Sequence, residues 1–156
     1  LLNRTSSMSR KWFDNRVPSY EMLSKDNTLE LYAKKTVENY FRHFNSYELD
    51  LAANVILSLA INTNLYLNEK QPWTLIKDEK NIPLVSNIIY NVLESTRIVG
   101  LLLLPILPNL SSKIDQQLGL LYNEKESWEK QLDWGKLIHE SILPEPNPVI
   151  EKLEYE

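Results

Sequence analysis

The sequence has no cysteine, two histidines (His43 and His139) and three glycines (Gly100, Gly119 and Gly135). The first absence removes disulfides, thiol chemistry and every cysteine-ligated zinc or iron–sulfur site. Two histidines far apart in sequence argue against a histidine metal centre. Three scattered glycines leave no glycine-rich loop to cradle a phosphate. There is no G-x-S-x-G elbow and no His-Glu-x-x-His pair. Neighbouring carboxylates such as Asp78 and Glu79, or Glu124 and Glu126, fall in hydrophilic runs. They read as solvated surface, because an acid–base pair needs a pocket that moves one pKa away from the other. His43 and His139 read as surface or satisfied histidines. No catalytic residue and no metal is expected in this chain. A long apolar run is missing too. The longest, from Ile98 to Leu107, contains Gly100 and Pro105 and is about half of the ~20 residues a membrane span needs. It reads as a buried core helix, with no membrane association.

What is present describes a globular protein. The 156 residues are 43% apolar and 24% charged, enough to bury a core without staples and most simply one domain over 1–156. The net charge of −4 argues against a broad nucleic-acid footprint. Charge is unevenly spread, however. Arg4, Arg10, Lys11 and Arg16 face only Asp14 in the first sixteen positions, whereas 124–156 holds nine acids and four lysines. A small basic footprint at one end is compatible with that polarity. The opening LLNRTSSMSRKWF lacks an initiating Met and a signal-peptide charge pattern. It reads as the middle of a helix, so the chain is expected to be a fragment of a longer protein.

Five or six helices account for most of the chain. The first runs to about Phe13. The second opens at Asn27 or Thr28, with Leu29, Tyr32, Ala33, Val37, Tyr40, Phe41 and Phe44 recurring at three- and four-residue steps. The third is expected to start at a Ser46 N-cap and to run to Pro72. Apolar residues nearly encircle it, which predicts a central position. The fourth begins near Pro83, carries the stripe Val85, Ile88, Ile89, Val92, Leu93, Ile98 and Val99, and is closed by Pro105 and Pro108. Shorter helices are predicted near Ser111 and over ESWEKQLDW, where Trp128 and Trp134 should pack on the bundle, as should Trp12 and Phe13. The acidic, proline-rich ending reads as an extended cover strand. No stretch alternates with period two, and the fold class is an all-α antiparallel bundle with short loops.

The stretch NEKQPWTLIK, Asn68 to Lys77, sets a large aromatic directly after a proline at a helix boundary. A base-stacking site needs such a ring held rigidly at a surface, a guanidinium or amide to read a base edge, and positive charge for phosphates. Trp73 is the candidate ring and Arg4 the candidate reader, 69 positions apart in sequence. From the residues alone the plainer reading is favoured: Trp73 in the core and Arg4 a surface charge.

Four stretches in order resemble the C-terminal helical domain of methionyl-tRNA synthetases. LLNRTSSMSRKWFD is similar to the first helix of that family. INTNLYLNEKQPWTLIKD is similar to its long helix running into Ala-Asn-x-Tyr and Pro-Trp-x-Leu-x-Lys, with Thr63 at the usual alanine. ESTRIVGLLLLPILPNLSSKIDQQLG is similar to its next helix. PEPNPVIEKLE is similar to its closing Pro-x-Pro-Leu-Phe-x-x-Ile-Glu, with Asn147 and Pro148 in place of Leu-Phe. The likeness covers the whole chain. Synthetases for leucine, isoleucine, valine and cysteine share the bundle, and the Pro-Trp-x-Leu-x-Lys element favours methionine.

The resemblance implies tRNA recognition, with Trp73 stacking on the first anticodon base of methionine tRNA and Arg4 reading that base by hydrogen bonds. A family asparagine one turn before that arginine would fall before Leu1. Asn3, Asn64, Lys70 and Lys77 are implied as phosphate or supporting contacts, with Asn64 and Tyr66 holding the helix end. Lys77 could equally cap a helix end or pair with an acid. Catalysis, with ATP, Mg and the zinc of many members, is implied to lie on an N-terminal catalytic domain of the same parent chain. No cofactor is implied here. A monomer in the cytoplasm is expected, an organellar matrix or stroma being the alternative. The competing readings are the equivalent domain of another class I aminoacyl-tRNA synthetase, a helical protein-interaction module, and a structural domain docked on a catalytic partner.

Overall fold

A computed structural model describes residues 1–19, 26–120 and 125–150. Among these, five helices of ten residues or more form the framework: α1 (Leu2–Trp12), α2 (Thr28–Asn45), α3 (Leu49–Lys70), α5 (Ile82–Leu103) and α6 (Pro108–Gln117). Two single turns, α4 (Pro72–Leu75) and α7 (Trp128–Gln131), and a 3₁₀ turn at Glu79–Asn81 complete it. No named strand occurs among the described residues. One isolated antiparallel bridge joins Arg16 to Ile142. The architecture is the expected all-α bundle.

The second helix starts where its periodicity places it. Leu29, Ala33, Thr36 and Tyr40 are its buried face. It pairs with α3 through Asn62 Nδ2 donating to the Tyr32 hydroxyl at 2.9 Å, while the His43–Glu48 pair at 2.7 Å spans their junction. Partners whose positions rise on one helix as they fall on the other mark an antiparallel hairpin. Ser46 does not cap α3. It closes α2, with its N–H on the His43 carbonyl, and Tyr47 takes a left-handed φ of 61° to reverse the chain. Glu48 occupies the N-cap position of α3, but its carboxylate lies against His43, and the helix opens at Leu49 without a side-chain cap bond.

The central helix is α5, not α3. Every residue from Val85 to Leu102 is buried, because α1, α2, α3, α4 and α6 all pack against α5. Helix α3, apolar nearly all round, leaves Leu49, Leu51, Leu57, Ile61 and Leu65 exposed. Apolar encirclement reports what a helix could bury, and the neighbours decide what it does bury. Pro105 follows the end of α5, but Pro108 opens α6 at its first turn rather than closing α5. Ser111 accordingly lies inside α6, buried, instead of at its start.

Burial of α5 includes its charges. Glu94 is 0% and Arg97 3% exposed. Glu94 Oε1 accepts from Arg97 Nη2 (2.6 Å) and from the backbone N–H of Gly135 (2.7 Å) and Lys136 (3.0 Å). Its Oε2 accepts from Arg97 Nε (2.9 Å) and the Leu137 N–H (3.0 Å). Arg97 also donates to the carbonyls of Gln131 (2.5 Å) and Asp133 (2.8 Å). One ion pair thereby fixes the loop after α7 to the middle of the core helix.

The predicted last helix shrinks to α7, capped by Ser127; residues 121–124, with the Glu124 predicted as surface, lie outside the described set. Trp128 packs as expected, with its Nε1 on the Leu101 carbonyl at 3.0 Å and its ring edge-on to Tyr40 and Phe41. Trp12, Phe13 and Trp134 are partly buried against the core. His139 stacks on Tyr90 at 4.6 Å. The tail from Leu143 to Ile150 is non-helical. It runs along the end of α6, where Gln117 donates to the Glu145 carbonyl and accepts from the Asn147 N–H. The rest of the predicted cover strand, 151–156, lies outside the described residues. No described helix is long and apolar enough to cross a membrane.

Candidate nucleic-acid interface

Helix α3 ends at Gln71, which adopts φ 46° and ψ 56°. Its N–H donates to the Leu67 carbonyl, closing α3, and its own carbonyl accepts from the Thr74 N–H at 2.9 Å, opening α4. One left-handed residue thus serves as both caps. For a non-glycine residue that conformation costs on the order of 1–3 kcal/mol, a local strain held in place by the elements on either side. Pro72 supplies the preset φ for the first helical position and is buried. The joint fixes the backbone that carries Trp73 on the outer side of α4, where the residue is 39% exposed. Trp73 is therefore a half-open ring on a rigid turn rather than a core residue.

Arg4, exposed on α1, reaches this joint from the other side. Its guanidinium carbon lies 5.7 Å from the Trp73 ring centroid, within cation–π range. Its Nη2 donates to Asn64 Oδ1 at 3.2 Å and to Asn68 Oδ1 at 3.0 Å. Asn64 and Asn68 are four residues apart on α3 and so project from one face. The fold brings the two candidate residues together through these asparagines.

Lys70 is not a free cation. Its Nζ lies 2.6 Å from Asp26 Oδ2 and 5.3 Å from the centroid of the Tyr66 ring, whose hydroxyl donates to the same carboxylate at 3.2 Å. Partial burial pushes the Asp26 carboxyl up, but hydrogen bonds from Lys70 and Thr28 and the Lys70 charge together outweigh it and hold it below its ordinary value. Tyr66, buried, holds the end of α3 as expected, whereas Asn64 does something else: it holds Arg4. Lys77 is exposed beyond α4 and makes no ion pair or hydrogen bond with a described residue. Asn3 precedes Arg4 by one position, about 100° round the helix. Its carbonyl accepts from Ser7 Oγ, and its side chain does not join the cluster. Asn68 carries no mark in the sequence beyond its four-residue spacing from Asn64, just before Pro72. Among the described residues no group of three His, Cys, Asp or Glu side chains could hold a metal ion.

An exposed aromatic on a strained joint beside a fixed guanidinium is the arrangement that binding an unpaired base calls for. The profile of the anticodon binding domain of methionyl tRNA ligase matches residues 17–153. The chain belongs to that family. The methionine–tRNA ligase of Bacillus subtilis is 32% identical over 158 residues, which cover 100% of this chain and 24% of the relative. That of a Nostoc species is 32% identical over 161 residues, 99% of this chain and 30% of the relative. Among solved structures, the free-state methionyl-tRNA synthetase of Mycobacterium tuberculosis superposes with a TM-score of 0.90 at 28% identity, covering 99% of this chain and 31% of that one. The anticodon-binding domain thus spans about a quarter of the length of the first two curated ligases it matches. Arg4 lies outside the matched profile segment and Trp73 inside it, so the paired site straddles the profile's edge.

Proposed function

We propose that this domain recognises the anticodon loop of methionine tRNA, with residues 1–156 acting as one recognition unit. Trp73 is the stacking platform for the first anticodon base and Arg4 the hydrogen-bonding reader. The observation that carries this reading is the approach of Arg4 to within 5.7 Å of a Trp73 that stays 39% exposed, although 69 positions separate them. Lys77 is free to meet a phosphate, and Lys70 reaches one only by releasing Asp26. Asn64 supports Arg4, while Asn3 is left to an outer contact. The parent protein, on this reading, is a monomeric cytoplasmic methionine–tRNA ligase. It joins methionine to its tRNA with ATP and Mg on a separate catalytic domain, where any zinc also belongs. This domain holds the anticodon so that the acceptor end reaches that site.

The test is aminoacylation by the full-length ligase with Trp73→Ala, on methionine tRNA and on the same tRNA with its first anticodon base changed. Stacking worth about 1–3 kcal/mol corresponds to a roughly five- to 150-fold loss in kcat/KM on native tRNA. The loss should largely vanish on the altered tRNA, where the contact is already missing. An equal loss on both, or unfolding of the domain, would make Trp73 a structural residue and sink the proposal.

A further inference from the structure

A guanidinium carries five N–H donors, two of them on each terminal nitrogen. It engages a planar partner bidentately along one of two edges, Nε with Nη2 or Nη1 with Nη2. Both edges need Nη2. Arg97 shows the first edge in use, with Nε and Nη2 on the two oxygens of Glu94. Arg4 is different. Its Nη2 alone serves two acceptors, Asn64 Oδ1 and Asn68 Oδ1, which takes up both hydrogens of that nitrogen. Neither fork is then open, and Nε–H and the two hydrogens of Nη1 are what remain for a base. With its Oδ1 turned to Arg4, Asn68 also keeps its amide nitrogen without a described partner. The surface beside Trp73 therefore offers donors, and suits a base edge rich in acceptors.

We propose that Asn68 is a positioning and specificity-determining residue of the anticodon site: with Asn64 it anchors Arg4 Nη2, orients the guanidinium beside Trp73, and leaves Nη1 as the base-facing group. The inference rests on the anticodon reading above. It predicts that the asparagine pair strengthens recognition by holding Arg4 in one orientation, whereas a reader that needed a full fork would be hindered by it.

The experiment uses the full-length ligase with Asn68→Leu, which keeps the shape and removes the acceptor, and Asn68→Asp, which keeps the acceptor. Both are assayed on native methionine tRNA and on tRNA with the first anticodon base changed, with thermal denaturation alongside. Asn68 is exposed, so the melting temperature should not move. Asn68→Leu should lower kcat/KM on native tRNA by roughly five- to thirtyfold, the effect of losing one to two kcal/mol, mostly through KM. It should leave the altered tRNA untouched and have no effect in an Arg4→Ala background. Asn68→Asp should retain the discrimination between the two tRNAs. Wild-type or improved activity of Asn68→Leu on native tRNA, with Trp73→Ala and Arg4→Ala still showing anticodon-dependent losses, would overturn this inference and leave the anticodon reading intact. If those two variants also lose activity equally on both tRNAs, the anticodon reading falls and this inference with it.

Discussion

The Glu94 carboxylate is the most exacting structural element in the molecule, and Glu94→Gln tests the account of it. Replacing one oxygen by an amide nitrogen removes the charge that balances Arg97, which is only 3% exposed. It also sets donor against donor in either amide orientation, because each oxygen accepts from both Arg97 and at least one backbone N–H of Gly135, Lys136 or Leu137. No rotation of the new amide escapes this. Breaking a buried pair from one side costs about 3–5 kcal/mol. At roughly 2–4 °C per kcal/mol for a chain of this size, the melting temperature should fall by about 6–20 °C. Urea denaturation should show a lower midpoint with an unchanged slope. The double change Glu94→Gln with Arg97→Met should fall well short of the sum of the single losses, since the stranded charge has gone. A loss below about 1 kcal/mol for Glu94→Gln, or strict additivity in the double variant, would refute the claim that this pair locks the loop after α7 to the core.

Stability should also depend on pH through Asp115, whose carboxyl burial pushes up to about 6, with the Arg97 charge offsetting only part of the effect. The folded protein then binds the proton more tightly than the unfolded one. The contribution is fully present below the ordinary value of 3.8 and lost as pH rises through about 6, so the melting temperature should climb as pH is lowered across that window. Asp115→Asn should flatten the slope; an unchanged slope would assign it to another group. Asp26 acts in the opposite sense, its depressed pKa giving stability that is lost only at more acidic pH. Gly100→Ala on α5 places a methyl 2.8 Å from Ile114 Cγ2 on α6. The β-branched neighbour cannot swing aside, so a net loss of about 1–2 kcal/mol is expected despite the gain in helix propensity. Ile114→Leu, which takes the branch off Cβ, should recover part of it in denaturant titrations, and no recovery would place the cost elsewhere.

Local patterns were readable where a segment answers to its own spacing. Leu29, Ala33 and Tyr40 of the α2 face and the proline-led start of α5 follow directly from the residues, whereas Tyr32 of the same periodic set stays 41% exposed and Thr36 is buried instead. Centrality did not, because α3 and α5 are both rich in apolar residues and only packing shows which one the others surround. The polar residues within α5 hid its burial. Glu94 and Arg97 look like surface charges in sequence, since their partners lie on a loop some forty positions away. The site divides in the same way. Trp73 after Pro72 announces an aromatic at a helix boundary, but a residue 69 positions distant decides whether that aromatic has a guanidinium beside it. From the residues alone Trp73 reads as core, and the left-handed Gln71 joint that keeps the ring outside is invisible in a sequence with a glutamine at that position.

Arg4 and Asn64 are 60 positions apart. A contact of that span forms only after the intervening chain has closed a long loop, and such contacts are late and slow in folding. The two halves meet only when α1 is docked beside the joint of α3 and α4. On the anticodon reading, binding therefore reports on the docking of α1 against that joint. The coupling runs in both directions. On that reading, a tRNA that binds only the folded state adds about 2.7 kcal/mol to its stability at a hundred times the dissociation constant, a reserve against unfolding that the domain's own packing does not supply.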